Sequence, residues 1–166
     1  MAGLAVRPAR ILLAALSGVL AVLVGTGVWI AAQARDEQGR AGDEQAALLA
    51  AGTHAKNLMS LDYKSADADV RRIIGSSTGA ARVEYEANAT KLRTTTVENK
   101  VVQHGVLRAT GLVSMTATTA RVLVVGDVEI RWDGSDSPPQ ERFYRWQMDL
   151  SKVGEAWLAA KVVQVR

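Results

Sequence analysis

The chain has 166 residues, 48% hydrophobic and only 5% aromatic, enough for one modest globular domain with a core built mainly of Ala, Val, Leu and Ile. Its net charge of +3 does not mark a nucleic-acid binder: Arg7, Arg10 and Arg35 are three of the 20 basic residues, no acid precedes Asp36, and the remainder is charge-balanced without a basic stripe. The lack of cysteine excludes disulfides, cysteine nucleophiles and thiolate metal sites.

Residues 1–10 read as a cytoplasmic tail. Ile11 to Ala32 is a run of 22 residues without a charge. As a helix it would span roughly 33 Å, which matches a hydrocarbon core of about 30 Å. Arg7 and Arg10 precede it, and the mixed, briefly acidic Gln33-Ala34-Arg35-Asp36-Glu37 follows it. The positive-inside rule therefore predicts a single-pass protein of the cell membrane, N-terminus cytoplasmic and C-terminal domain extracytoplasmic. Ala32-Gln33-Ala34 has the small-x-small form of a cleavage site. The run exceeds the ~7–15 residues of a signal-peptide core, so an anchor is preferred over cleavage. Ala14, Gly18, Ala21 and Gly25 share one helical face, a candidate helix-packing face. Ala/Gly filling of an ordinary membrane span is the simpler account of the same spacing.

Residues 33–45 read as a polar stalk, and 46–166 as the exported domain. Leu48, Ala51, Ala55, Leu58 and Leu61 recur at steps of three and four, which predicts a helix with one buried face. Ser65 is placed to cap a second, short helix, with Asp67 and Asp69 in its first turn and Val70, Ile73 and Ile74 as its apolar positions. A third helix is expected over about Ala80 to Arg93, with Tyr85, Ala89 and Leu92 on one side. The β-branched run Thr94-Thr95-Thr96-Val97 favours strand over helix.

Val101 to Met115 reads as one or two strands, with Gly105 and Gly111 as bulges or bends. Arg121 to Trp132 alternates clearly: Val122, Val124, Val128, Ile130 and Trp132 face one way, Asp127, Glu129 and Arg131 the other. A polar turn over Asp133 to Pro139 leads to Arg142–Leu150, where Tyr144, Trp146, Met148 and Leu150 share a face. A tight turn and a last strand over Ala156 to Val165 complete the chain. Helices first and antiparallel strands after predict a segregated α+β fold.

This order of parts resembles the Mce-associated membrane proteins of actinobacteria, which join a short tail, one membrane helix and an exported NTF2-like cone. The resemblance is carried by Leu58 to Asp69, with its Asp62-Tyr63 pair and aspartates two apart, by Tyr85, and by Val153-Gly154-Glu155-Ala156-Trp157-Leu158. It implies about three helices packed on a curved antiparallel sheet of about four strands. It also implies an accessory or stabilising subunit of an Mce-type lipid or sterol importer, with Mce complex proteins as partners. Two other readings keep this architecture. One is a stand-alone lipid-binding module. The other is a scaffold of the type IV secretion kind, whose cytoplasmic tail is usually longer than the one here.

Little in the sequence points to chemistry. His54 and His104 stand fifty residues apart without a cysteine to complete a site, so neither a metal nor a cofactor is expected. Asp62, Tyr63 and Tyr85 are nominal partners for an Asp base and a Tyr donor in an apolar pocket. Their places at a helix exit and on an apolar helical face favour structural roles, so no enzymatic activity is expected. Tyr63, Tyr85, Trp132, Tyr144, Trp146 and Met148 are candidates to line a pocket for an apolar or lipid ligand, or to fill the core. Arg121, Arg131, Arg142 and Arg145 form either a basic docking face or strand positions paired with Asp127, Glu129 and Asp149, the latter preferred.

Overall fold

A computed structural model describes Thr26 and residues 39–165. Apart from Thr26, the apolar run 11–32 lies outside the described residues, as does the face formed by Ala14, Gly18, Ala21 and Gly25. No helix among the described residues is long and apolar enough to cross a membrane. The chain divides into two units, Met1–Gly42 and Asp43–Arg166, and the sheet lies in the second.

Among residues 39–165, three helices precede four strands. Helix α1 covers 39–59, α2 Ala66–Gly75 and α3 Gly79–Glu98. Strands β1 (Val101–Met115), β2 (Thr119–Trp132), β3 (Gln140–Val153) and β4 (Ala156–Gln164) form one antiparallel sheet in the order β1-β2-β3-β4. This is the expected segregated α+β architecture. Every sheet connection is a hairpin, and the last is the two-residue turn Gly154-Glu155, with Gly154 at φ 63°.

Alternation placed the strands correctly. On β2, Ala120, Val122, Val124, Val128 and Ile130 are buried, and on β3 so are Trp146, Met148 and Leu150. Their side chains meet one stripe of α1: Ala47, Ala51, Ala55 and Met59, each at most 1% exposed. The expected face of that helix is therefore right in direction but shifted. Leu48 and Leu58 are only partly buried at its flanks, while the centre takes the smallest side chains.

The centre is narrow because the helix lies very close to the sheet. A Cβ added at Gly105 would stand 2.3 Å from Met59 Cβ and 3.0 Å from its carbonyl oxygen. One at Gly126, on the neighbouring strand, would stand 2.6 Å from Met59 Sδ and Cε. One at Gly52 would stand 2.8 Å from Leu107 Cδ2.

Three sequence expectations need correction: the glycine bulges, the extended threonine run and the Ser65 cap. Residues Val101–Met115 form a single strand. Its register shifts fall between Leu107 and Ala109 and between Leu112 and Ser114, not at Gly105 or Gly111. Gly105 makes room for Met59, and Gly111 meets nothing. Helix α3 continues to Glu98, through the threonines expected to be extended. Thr96 is buried and its hydroxyl donates to the Leu92 carbonyl at 2.8 Å, a back-bond that lets a β-branched residue sit in a helix. Ser65 does not cap α2 through its side chain; its hydroxyl donates to Asp69 instead.

Both sheet edges are partly covered by the links between helices. After α1, Tyr63 N–H donates to Val101 O at 2.9 Å and Gln103 N–H to Leu61 O at 2.6 Å, along β1. Between α2 and α3, Thr78 N–H donates to Ala159 O at 2.8 Å and Ala159 N–H to Ser76 O at 3.1 Å, along β4.

The close approach ranks three substitutions. Gly105→Ala meets Met59 backbone atoms that cannot move aside, and should cost about 2–3 kcal/mol. Gly126→Ala meets the flexible end of the methionine and should cost about 1 kcal/mol. Gly111→Ala, in open space, should change stability by less than about 0.5 kcal/mol. Urea unfolding midpoints of the purified variants check the order.

Candidate functional site

Of the six candidate aromatic and methionine positions, the fold brings Tyr85, Tyr144 and Trp146 together. They line a half-open cavity of about 250 Å³ with Leu58, Glu84 and Gln103 among its other walls. Alternation on β3 turns Tyr144 and Trp146 inward, and their rings stack at 4.8 Å with planes 11° apart. Tyr85 comes from the inner face of α3, where Ala81, Tyr85, Ala89, Leu92 and Thr96 follow the helical period and are buried or partly buried.

The other three candidates go elsewhere. Met148 is fully buried in the core. Trp132 packs against the core at the end of β2, beside a surface depression that also includes Asp62 and Asp133. Tyr63 donates its hydroxyl to Asp133, well removed in sequence, and lines a separate depression with Asp67 and Arg93. Asp62 and Tyr63 therefore do not share the Tyr85 cavity.

The aspartate-tyrosine stretch holds the turn between α1 and α2. Asp69, 1% exposed, accepts from Asp62 N–H at 2.8 Å, from the Ser65 hydroxyl at 3.1 Å and from Arg72 at 2.6 Å. Asp62 in turn accepts from Lys64 N–H at 2.8 Å, a local Asx turn. On the outer sheet face Arg121 pairs with Asp149 across the strands at 2.7 Å, as expected. Asp127 pairs with Arg108, and Glu129 with Arg131 of its own strand. Arg142 and Arg145 make no ion pair with a described residue.

Behind Tyr85 lies a group that sequence reasoning did not place. His54 is fully buried, with Nδ1 2.7 Å from Ser76 Oγ and Nε2 3.2 Å from Tyr85 Oη. Ser76 Oγ also lies 2.9 Å from Arg72 O, 3.1 Å from Ile73 O and 3.1 Å from Asn57 Nδ2. A hydroxyl has one proton, and two carbonyl oxygens can only be approached by donating it to them. Assigning that proton to the carbonyl side makes Ser76 the acceptor from Asn57 and from His54, and puts the imidazole proton on Nδ1. Nε2 is then an acceptor, and Tyr85 donates to it. Burial holds His54 down to about 4, so the neutral ring is the form present near neutrality. Burial, with the Glu84 charge adding to it, pushes the Tyr85 hydroxyl up to about 12. The only sequence signal for His54 was its position among Ala51, Ala55 and Leu58 on the buried face of α1. Its partners lie 22 and 31 residues away. His104 is exposed on β1.

The fold recurs in solved structures of other proteins. An IcmL-like type IV secretion system protein of Legionella pneumophila superposes with a TM-score of 0.58 at 12% identity, covering 71% of this chain and 88% of that one. The periplasmic domain of DotI gives 0.57 at 15%, covering 71% and 91%. VirB8 of Agrobacterium tumefaciens gives 0.56 at 11%, covering 70% and 88%. These likenesses show the fold, three helices on a four-stranded antiparallel sheet. By sequence, residues 5–165 match the family described as uncharacterized protein Rv1363c/MT1408-like, and the chain belongs to that family. Uncharacterized protein Rv1363c of Mycobacterium tuberculosis is 30% identical over 167 residues; the match covers 96% of this chain and 62% of that relative's length.

His54 makes stability depend on pH. Its folded value is below the unfolded one, so the unfolded state binds more protons between about 6.5 and 4. The contribution is complete above pH 6.5 and is lost as pH falls towards 4, up to about 3 kcal/mol at about 1.4 kcal/mol per unit. Unfolding midpoints measured across this range should fall more steeply for the native protein than for His54→Gln.

Proposed function

We propose that this protein is a membrane-anchored accessory or scaffold subunit whose Asp43–Arg166 unit works outside the cytoplasm by binding other proteins, without catalysing a reaction. One observation carries the reading: a domain that shares its fold with the periplasmic domain of DotI follows an uncharged run of 22 residues flanked by arginines on its N-terminal side. The cavity supports the same view. At about 250 Å³ and half open, it lies below the roughly 300–1,000 Å³ of sites that enclose a drug-sized ligand, which argues against a stand-alone lipid carrier.

For the machine it serves, we favour an Mce-type lipid importer. The support is the resemblance of the Leu58–Asp69 stretch and the closing hairpin to the Mce-associated proteins, together with a mycobacterial relative at 30% identity. A second reading, a scaffold in a secretion-type machine, is supported by the secretion proteins among the structural likenesses. At 11–15% identity those speak for fold, and fold does not fix function.

Two measurements test the proposal. The chain has no cysteine, so Ser137→Cys in the β2–β3 loop is a unique reporter. It should react with a membrane-impermeant maleimide in intact cells, and labelling only after lysis contradicts the orientation. Cross-linking and neutral-detergent extraction from native membranes should co-purify Mce-domain proteins and their permease. Secretion components in their place transfer support to the second reading, and recovery of the protein alone sinks the scaffold role.

A further inference from the structure

The cavity beneath α3 has walls whose chemistry selects one class of ligand. We propose that it is a binding site for a small organic cation, an alkylammonium or guanidinium group, held by the Glu84 carboxylate, the Tyr85 oxygen and the aromatic faces of Tyr144 and Trp146.

The first argument is hydrogen-bond direction. Asn57 and His54 both donate to Ser76, which passes its own proton to backbone carbonyls. His54 Nε2 is left to accept the Tyr85 proton. The Tyr85 hydroxyl proton is thus committed to His54, so the phenol oxygen is left to act only as an acceptor. A ligand meeting this oxygen must bring a hydrogen-bond donor or a positive charge.

The second argument is charge. Glu84 is the only formally charged residue among those lining the cavity, and it makes no ion pair with a described residue. Among the described residues no lysine or arginine lines the site, so an anion would meet a carboxylate without compensation. A cation would meet one carboxylate and several electron-rich ring faces, which attract cations most strongly when partly desolvated.

The third argument is size and polarity. A cavity of about 250 Å³ takes a headgroup-sized ion, and Leu58 offers apolar contact to its alkyl substituents. A strongly hydrated metal ion or bare ammonium gains nothing from that surface, whereas a quaternary ammonium does. The site does not depend on the scaffold role and can be tested separately from it.

Choline and 3,3-dimethylbutan-1-ol share a shape and differ in charge. Saturation-transfer NMR on the full-length protein in maltoside detergent should show choline binding in the millimolar range, at least about tenfold tighter than the neutral isostere. Glu84→Gln, an exposed position where folding is not at stake, should abolish most of that preference. Tyr144→Leu should weaken choline about fivefold and leave the isostere nearly unchanged. Monomeric dihexanoylphosphatidylcholine distinguishes the sources of the cation. Tighter binding than choline assigns the site to lipid headgroups, and weaker binding assigns it to free cations. Equal binding of choline and isostere, no choline binding up to about 50 mM, or a preference unchanged in both variants overturns the proposal.

Discussion

The structure depends on how closely α1 can lie against β1 and β2. Met59 sits over two glycines on adjacent strands, Gly105 and Gly126, and the helix stripe leading to it is alanine at 47, 51 and 55. A helix carrying leucines at those positions would stand further off and lose the contacts that close packing provides. In a chain with 5% aromatic residues, core volume is scarce. Bringing backbones together removes space that large side chains would otherwise have to fill. Where larger groups converge, from Leu58, Tyr85, Tyr144 and Trp146, the packing stays open and leaves the cavity. The tight region and the cavity therefore share one origin, the narrow seat of α1.

That seat has to be fixed at its C-terminal end, and the Asp62–Asp69 stretch does this. The chain leaves α1 at Met59, lies along the edge of β1, and is turned into α2 by Asp69 accepting from Asp62, Ser65 and Arg72. A carboxylate buried to 1% is costly unless its oxygens are satisfied, and here three donors satisfy them. The residues that looked like the most distinctive motif in the sequence thus act on the backbone path. Their functional value is indirect: they fix where α2 begins, the helix that leads to Ser76 and its contact with His54.

Local pattern made much of the fold legible. Period-two alternation on β2 and β3 identified the inward faces residue by residue, because each strand has one solvated face. The errors came where tertiary contacts outweigh local preference. Thr94 to Val97 read as extended, yet Thr96 is buried on α3 and back-bonds to Leu92. Gly105 read as a bulge because sequence cannot show that Met59 lies against it. The candidate site was half legible. Tyr85, Tyr144 and Trp146 followed from which faces point inward. His54, Ser76 and Asn57 did not, because their roles come from a count of protons among groups distant in the chain. Glu84 was invisible as a site residue for a similar reason, being an ordinary exposed helical acid until the fold sets it beside the aromatic rings.

The same count bears on what the cavity can do. A general base facing a substrate works best when it titrates near the ambient pH and aims a lone pair at the proton it removes. Here the imidazole lies behind Tyr85, is held down to about 4, and spends its one free lone pair on the tyrosine proton. Tyr85, pushed up to about 12, gives that proton up reluctantly and aims it inward. Moving a proton from a ligand through this pair would require an imidazolium buried among apolar helices, the form that burial disfavours most. The arrangement is a poor relay, yet it holds an acceptor oxygen rigidly at a fixed point beside a carboxylate and two stacked rings. Rigidity without a usable proton favours recognition over turnover, in keeping with the binding role proposed above.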